Sequence, residues 1–157
     1  MKVAIVGGTG LIGSAVAARL SSRGHSIVSL SRSAADAGAN GVAVDISKAN
    51  SSSYWLPYLK GVEAIVNCAG VLQDGPYESV AMVHHRGIAS LFAACEQLGI
   101  RRVIHFSAIG VDRETPTAFS ETKLAGDHAL MERDLDWVIL RPSVVFGRPA
   151  YGASALM

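Results

Sequence analysis

The chain has 157 residues, half of them hydrophobic and 17% charged, with 14 basic and 13 acidic side chains and a net charge of +1. That length makes one domain with a sizeable core, and so even a charge balance creates no long-range field for a polyanion, so nucleic acid is not an expected partner. No apolar run approaches the roughly twenty residues that cross a bilayer, and Met1-Lys2 followed by four apolar residues and two glycines is too short for a signal sequence, so a soluble cytoplasmic chain is expected.

Residues 3–6, Val-Ala-Ile-Val, make a short buried strand. The turn Gly7-Gly-Thr-Gly-Leu-Ile-Gly13 follows, and residues 14–20 continue as a helix with Ile12, Val16 and Leu20 on one face. A strand that runs through glycines into a helix presents unpaired backbone N–H groups and a positive helix end to a diphosphate. The three spaced glycines serve a tight turn, close approach of the backbone to the pyrophosphate, and contact between helix and strand. Gly7, Thr9, Gly10, Leu11, Ile12 and Gly13 are therefore the expected cofactor-binding residues of this turn. A turn of this kind can also do no more than join two elements, so its context decides.

Arg23-Gly24-His25 stops the helix. The second strand, 26–31, ends at Arg32, about twenty positions past the last glycine, where folds of this kind select their cofactor. An acidic residue there would bond the ribose 2′-OH of NAD, whereas arginine offers a planar fork of donors to a 2′-phosphate. Arg32, flanked by Ser31 and Ser33, thus favours NADP over NAD; an Arg32 that only stacks on adenine leaves both acceptable. A small-residue loop leads to a third strand over 42–46 and, past a serine-rich stretch, a short helix over 55–59. The fourth strand, 64–68, is apolar nearly throughout, as a strand covered on both faces must be.

A long helix is expected over 77–98, closed by Gly99, then a fifth strand over 103–107. Thr115-Pro116 reads as an N-cap followed by proline in the first turn of a helix running to about Arg133, and a sixth strand covers 137–141. Cys68 and Cys95 form no C-x-x-C pair and read as two buried thiols, and the five histidines make no metal pattern. Strand and helix alternate throughout, which predicts a three-layer α/β/α doubly wound parallel sheet, the Rossmann fold, in order 3-2-1-4-5-6 with ligand at the carboxyl ends of the strands.

Several motifs stand in a telling order: the glycine turn, Val44-Asp-Ile46, Asn67-Cys-Ala-Gly70, Lys123 and Arg141-Pro-Ser-Val-Val-Phe-Gly147. Together they resemble the extended or atypical short-chain dehydrogenase/reductase family, also called the epimerase/dehydratase family, over nearly the whole chain. The branch most similar is that of the NADPH-holding 39 kDa subunit of respiratory complex I, alongside bacterial reductase-type proteins whose longer chains continue into a membrane-helical domain. The resemblance implies that Asp45 and Ile46 border the adenine and that Cys68, Ala69 and Gly70 line the middle of the cofactor. It further implies that Lys123 bonds the nicotinamide ribose, that Pro142 and Val144 flank the nicotinamide, and that subunits pair as a homodimer through two helices. Plain alternatives exist: Asp45 as a loop cap, Lys123 as a solvated helix lysine, Pro142 as a strand stop.

The family's chemistry uses Tyr-x-x-x-Lys, one helical turn apart on a shared face. Here the stretch is Phe119-Ser-Glu-Thr-Lys123. Phenylalanine has the ring without the hydroxyl, and general acid–base assistance normally contributes roughly 10²–10⁴ in rate. Ser107 is a doubtful counterpart of the usual serine, which would fall at Ala108 or Ile109. Tyr77, Asp112, His84 or the substrate itself remain as other proton sources. The family's separate substrate-binding part is expected to be missing after Met157, although another helix is expected to begin at about residue 151. The reading at this stage is an NADP-binding domain of an atypical short-chain reductase, with a non-catalytic NADP(H)-holding module as the alternative.

Overall fold

The computed structural model describes every residue except 34, 36–39, 77, 78 and 148–157. Its centre is a six-stranded sheet in the order β3-β2-β1-β4-β5-β6, every neighbouring pair parallel. β1 (Lys2–Val6) shows why the strands are apolar without alternation. Val3 and Ile5 point to one layer, Ala4 and Val6 to the other, and all four are buried.

On the first face lies α1 (Leu11–Ser22), whose Val16, Ala17 and Leu20 pack against Val3, Ile5 and Ile27. The opposite face carries α2 (Gly87–Leu98) and α3 (Ala118–Met131), with Ile88, Leu91, Phe92 and Leu130 fully buried over the sheet. The remaining strands are β2 (Ser26–Ser31), β3 (Gly41–Ala43), β4 (Ala64–Asn67), β5 (Arg102–Phe106) and β6 (Asp136–Leu140). The chain leaves β1 toward β2 on one side and returns past it to β4 on the other. That reversal opens a crevice beyond the carboxyl ends of β1 and β4.

Most elements lie where the residue pattern predicts, and the differences have local causes. The third strand stops at Ala43 rather than 46, because the Asp45 side chain accepts the Ser47 N–H at 3.0 Å and curls residues 46–48 into a 3₁₀ turn. In place of a helix over 55–59 there is a 3₁₀ turn, Ser52–Tyr54, and Trp55 is pulled fully inside, its Nε1–H donating to Ser90 Oγ at 2.8 Å. Of the expected 77–98 helix, residues 77 and 78 lie outside the described residues and helical structure begins at Val80, with a π-helical turn, Met82–Arg86, ahead of α2. α2 ends as predicted on Gly99, left-handed at φ 70°.

The start of α3 falls two residues later than Thr115-Pro116. Thr117 is the N-cap: its Oγ1 accepts the Ser120 N–H at 3.2 Å, and Ser120 Oγ accepts the Thr117 N–H at 2.8 Å. The reciprocal pair is a capping box with serine in the place of the usual glutamate. Thr117→Ala is therefore expected to lower stability by about 1 kcal/mol, whereas Thr115→Ala changes it little. Urea midpoints of the two variants read the difference, and equal effects would contradict the capping assignment.

Candidate functional site

At the carboxyl edge of the sheet one cleft gathers residues from four parts of the chain. Gly7, Thr9 and Gly10 come from the turn after β1, Arg32 from the end of β2, Ile46 from the following 3₁₀ turn, and Cys68, Ala69 and Gly70 from the loop after β4. Eight residues read from the sequence as cofactor-binding thus meet in a single crevice, joined by Val83 from the π-helical turn. Val83 was not legible in advance, since its spacing marks it only as a core residue.

The turn depends on two glycines. Gly7 sits at φ +76°, a left-handed conformation, and a Cβ there would stand 2.9 Å from the Ala69 amide nitrogen. Gly13 is buried, and a Cβ on it would run into the Gly7 carbonyl oxygen. The helix can therefore begin only against a bare backbone, and Gly13 acts by packing rather than by lining the cleft. No side chain caps the first turn of α1, and no acidic residue stands in it. Its amides are left to an outside acceptor, with the positive end of the helix behind them. Leu11 and Ile12 border a neighbouring apolar recess with Val145 and Phe146.

At the second end of the cleft Arg32 is exposed beside buried Ser31. Asp45 is not among the cleft's lining. Its carboxylate accepts Ser47 N–H and Oγ–H and lies 3.6 Å from Lys48 Nζ. The hydroxyl of Ser47, chiefly, holds its pKa below the ordinary carboxylate value. The loop-cap alternative accounts for this side chain.

Behind the Cys68–Gly70 loop lies Lys123, which is not among the cleft's lining residues but is 5% exposed and so not a solvated helix lysine. Its Nζ donates to the Phe106 carbonyl at 2.9 Å and the Ala69 carbonyl at 3.4 Å, directly beneath Gly70. Burial pulls its pKa down to about 8, against the pull of Asp127 in the other direction. The same burial pushes the Cys68 thiol up to about 12, so it is a neutral wall and not a nucleophile. Gly126 lets α3 approach this closely, since a Cβ there would strike the His84 carbonyl oxygen.

Phe119 stands edge-on to His84, ring centroids 5.2 Å apart at 85°. His84 is 1% exposed; its Nε2 accepts the Val71 N–H at 3.0 Å, which leaves Nδ1–H to face Thr122 Oγ1 at 3.0 Å. Burial, then the Lys123 charge, lower its pKa to about 3. A ring neutral and bonded at both nitrogens is a structural strut and has no proton to lend near neutral pH. Asp112, another expected proton source, lies 3.4 Å from Arg141 on an exposed loop. Tyr77 and the segment from 148 onward lie outside the described residues.

Ser107 does not open into the cleft. It is buried at 6% exposure beside the Asp127 carboxylate. Pro142 and Val144 lie on the segment after β6 and are not among the cleft's lining residues; the Pro142 carbonyl accepts the Ile109 N–H at 3.0 Å, and Val144 is 60% exposed. The polar residues behind the cleft, Asn67, His105 and Asp127, were missed. Polar residues ending apolar strands β4 and β5, at the same sheet level, were the available signal.

A parallel sheet in this order, with a glycine turn and an uncapped helix end at its switch point, defines a dinucleotide-binding α/β fold. A family model described as NAD(P)H-binding matches residues 7–156, and the chain belongs to that family. Among curated proteins it is 26% identical to the photosystem II assembly factor Ycf39 of Synechocystis over 90% of this chain and 44% of that protein. It is 25% identical to an uncharacterized protein of Mycobacterium tuberculosis over 94% of this chain and 15% of that one. The chain therefore spans less than half the length of these relatives. Among solved structures, the oxidoreductase ylbE of Lactococcus lactis superposes with a TM-score of 0.78 at 23% identity, over 97% of this chain and 73% of that one. A short-chain dehydrogenase/reductase superfamily protein of Agrobacterium tumefaciens with bound NAD gives 0.78 at 20% identity, over 90% and 48%. Both likenesses establish the fold. Among the described residues, no helix is long and apolar enough to cross a membrane, and no group of His, Cys, Asp or Glu is arranged to hold a metal ion.

The state of His84 sets a pH dependence. Between its ordinary value of 6.5 and its folded value of about 3, the unfolded chain takes up a proton that the folded chain refuses. Stability therefore falls as pH drops through that window, by at most ~1.4 kcal/mol per pH unit from this group. His84→Asn removes the titration, so the stability difference between wild type and variant moves in the variant's favour below pH 6.5. Urea titrations at pH 7.5 and 5 measure it, and a constant difference would mean that His84 is not held neutral.

Proposed function

We propose that this chain binds NADP(H) in preference to NAD(H) as the cofactor domain of an atypical short-chain reductase. The diphosphate lies on the first turn of α1, the adenosine end beside Arg32 and Ile46, and the nicotinamide end over Cys68, Ala69 and Gly70 with Lys123 beneath. The observation that carries this reading is the single cleft that joins the uncapped helix end to Arg32 on one side and to the Cys68–Gly70 loop on the other. Its wall fits a cofactor that must approach backbone closely, because a Cβ at Gly7 would close it against Ala69. The preference rests on Arg32, whose guanidinium suits a 2′-phosphate and finds no such partner on NAD.

Bound NAD(P)H supplies a hydride, and the chain's own residues would have to place it and handle the proton. In this reading Lys123, held behind Gly70 by the Phe106 and Ala69 carbonyls, is the group that would reach the nicotinamide ribose. Phe119 has no proton to give and His84 has both nitrogens engaged. Reduction by this domain therefore takes its proton from a group other than these two, or from the substrate.

A second reading is favoured by the Phe119–His84 pair: the domain holds NADP(H) without turning it over, for structural or sensing purposes. The phenylalanine offers an edge-on ring contact to His84 and no hydroxyl. Turnover distinguishes the two. A rate gained only on Phe119→Tyr supports the module, and a carbonyl-dependent NADPH oxidation that Phe119→Tyr leaves unchanged supports the reductase.

Titrating NADPH fluorescence with the purified chain is expected to show saturable binding. Arg32→Ala should weaken NADPH about ten- to hundredfold, the range of a charged hydrogen-bonded contact, while leaving NADH nearly unchanged. No binding at high micromolar NADPH would defeat the reading. An equal loss for both dinucleotides would defeat the preference alone.

A further inference from the structure

Behind the cleft runs a chain of buried polar groups that the cofactor reading does not use. The Ala69 N–H donates to Asn67 Oδ1 at 3.1 Å, and Asn67 Nδ2 stands 2.9 Å from His105 Nδ1. His105 Nε2 faces Asp127 Oδ1 at 3.4 Å, and both side chains are at most 1% exposed. Arg141 closes the chain, its Nε and terminal nitrogen lying 3.1 and 3.0 Å from Asp127 Oδ2. Residues from β4, β5, α3 and the end of β6 are thereby tied across the interior.

The two ends of this chain leave it one polarity. A backbone N–H can only donate, so Asn67 must turn its oxygen to Ala69 and its NH₂ to His105. His105 Nδ1 is then the acceptor, and the ring proton sits on Nε2. A carboxylate can only accept, and Asp127 Oδ1 is the charged group that proton faces: the two atoms stand 3.4 Å apart, an ion-pair distance outside hydrogen-bond geometry, and neither has a hydrogen-bond partner among the described residues. Burial, chiefly, keeps His105 below its ordinary pKa, so the ring is neutral and the choice of nitrogen matters. Burial also works to raise the Asp127 pKa, but His105, Ser107 and Arg141 outweigh it and keep the group ionised.

We propose that Asp127 is a positioning residue for the dinucleotide cleft: by selecting the Nε2–H form of His105 it fixes the Asn67 amide, which in turn holds the Ala69–Gly70 backbone against the cofactor. This rests on the cofactor reading above for its functional end. Through Arg141 the same carboxylate also anchors the start of the Pro142–Val144 segment, so one buried charge sets two loops at the sheet's carboxyl edge. Lys123 is four residues earlier on α3 and donates to the Ala69 carbonyl, so the peptide groups on both sides of Ala69 are held from this helix.

Asp127→Asn tests the idea with nearly unchanged shape. Arg141 only donates, so the introduced amide must give it the oxygen and turn its NH₂ to His105 Nε2. The ring proton then moves to Nδ1, Asn67 reverses, and the Ala69 N–H loses its acceptor. With ¹⁵N-histidine-labelled protein free of cofactor, imidazole NMR should show His105 as the Nε2–H form in wild type and the Nδ1–H form in Asp127→Asn, with a shift of the Ala69 amide. NADPH should bind about tenfold more weakly to the variant, the scale of one lost hydrogen bond. Asn67→Ala should weaken it similarly, and the double variant should be no worse than either single one.

A wild-type His105 protonated on Nδ1, or on both nitrogens, overturns the proposal even where Asp127→Asn fails to fold. So does an unchanged tautomer in the variant, or losses that add in the double variant. Inversion of the ring proton with the Ala69 shift, in a wild type that binds no NADPH, upholds the relay and rejects the cofactor reading instead.

Discussion

The contact that everything else relies on is backbone against backbone: the start of α1 lying on the turn that leaves β1, with Gly13 against the Gly7 carbonyl and Gly7 against the Ala69 peptide. Neither approach tolerates a side chain. Because they are so close, the helix axis points its amide end at the reversal between β1 and β4, and the loop after β4 forms the facing wall. An uncapped helix end elsewhere would be satisfied by water. Here it is set in a crevice whose other borders come from β2 and β4, so one ligand can meet all of them together.

The second constraint is electrostatic. The interior behind the cleft holds an ammonium, a carboxylate and two imidazoles, all nearly inaccessible to water. Groups of this kind survive burial only when each has a partner of fitting polarity. Lys123 finds backbone carbonyls, Asp127 finds Arg141 and His105, and His84 finds a backbone amide and a threonine hydroxyl. The outcome is a rigid polar layer under an open cleft, with its protonation states set by burial. Such a layer suits holding and orienting a nucleotide. Within it only Lys123, drawn down to about 8, titrates near neutral pH, and its ammonium is held by the Phe106 and Ala69 carbonyls, which is why Phe119 weighs so heavily on any account of activity.

Much of the architecture was legible because it follows from periodicity and backbone stereochemistry. The unbroken apolar runs of β1 and β4 signal burial on both faces, Gly24 and Gly99 mark helix ends by their left-handed conformation, and the alternation of strands and helices leaves little choice of sheet order. The errors came where one side chain redirects the backbone. Asp45 bonding Ser47 cut β3 short, and Ser120 bonding Thr117 moved the start of α3. Proline after threonine is a common helix start, but it carries no information about a second threonine two residues on. Of the candidate site residues, those on the glycine turn, at Arg32 and on the Cys68–Gly70 loop converge, whereas Ser107 is buried beside Asp127.

By itself the sequence determined the class of fold, the glycine turn and the side chains available at its crevice, since these are properties of short stretches and their spacing. The partners of those side chains were decided only by tertiary structure. Nothing local distinguishes Lys123 from a surface lysine or Asp127 from a solvated one; α3 brings both inside by crossing the π-helical turn at Gly126. Which nitrogen of His105 carries its proton depends on residues 38 positions before it, 22 after it and 36 after it in the chain, counted to Asn67, Asp127 and Arg141. Hydrogen-bond polarity in a buried layer is a property of the whole assembled network, and no window of the chain contains it.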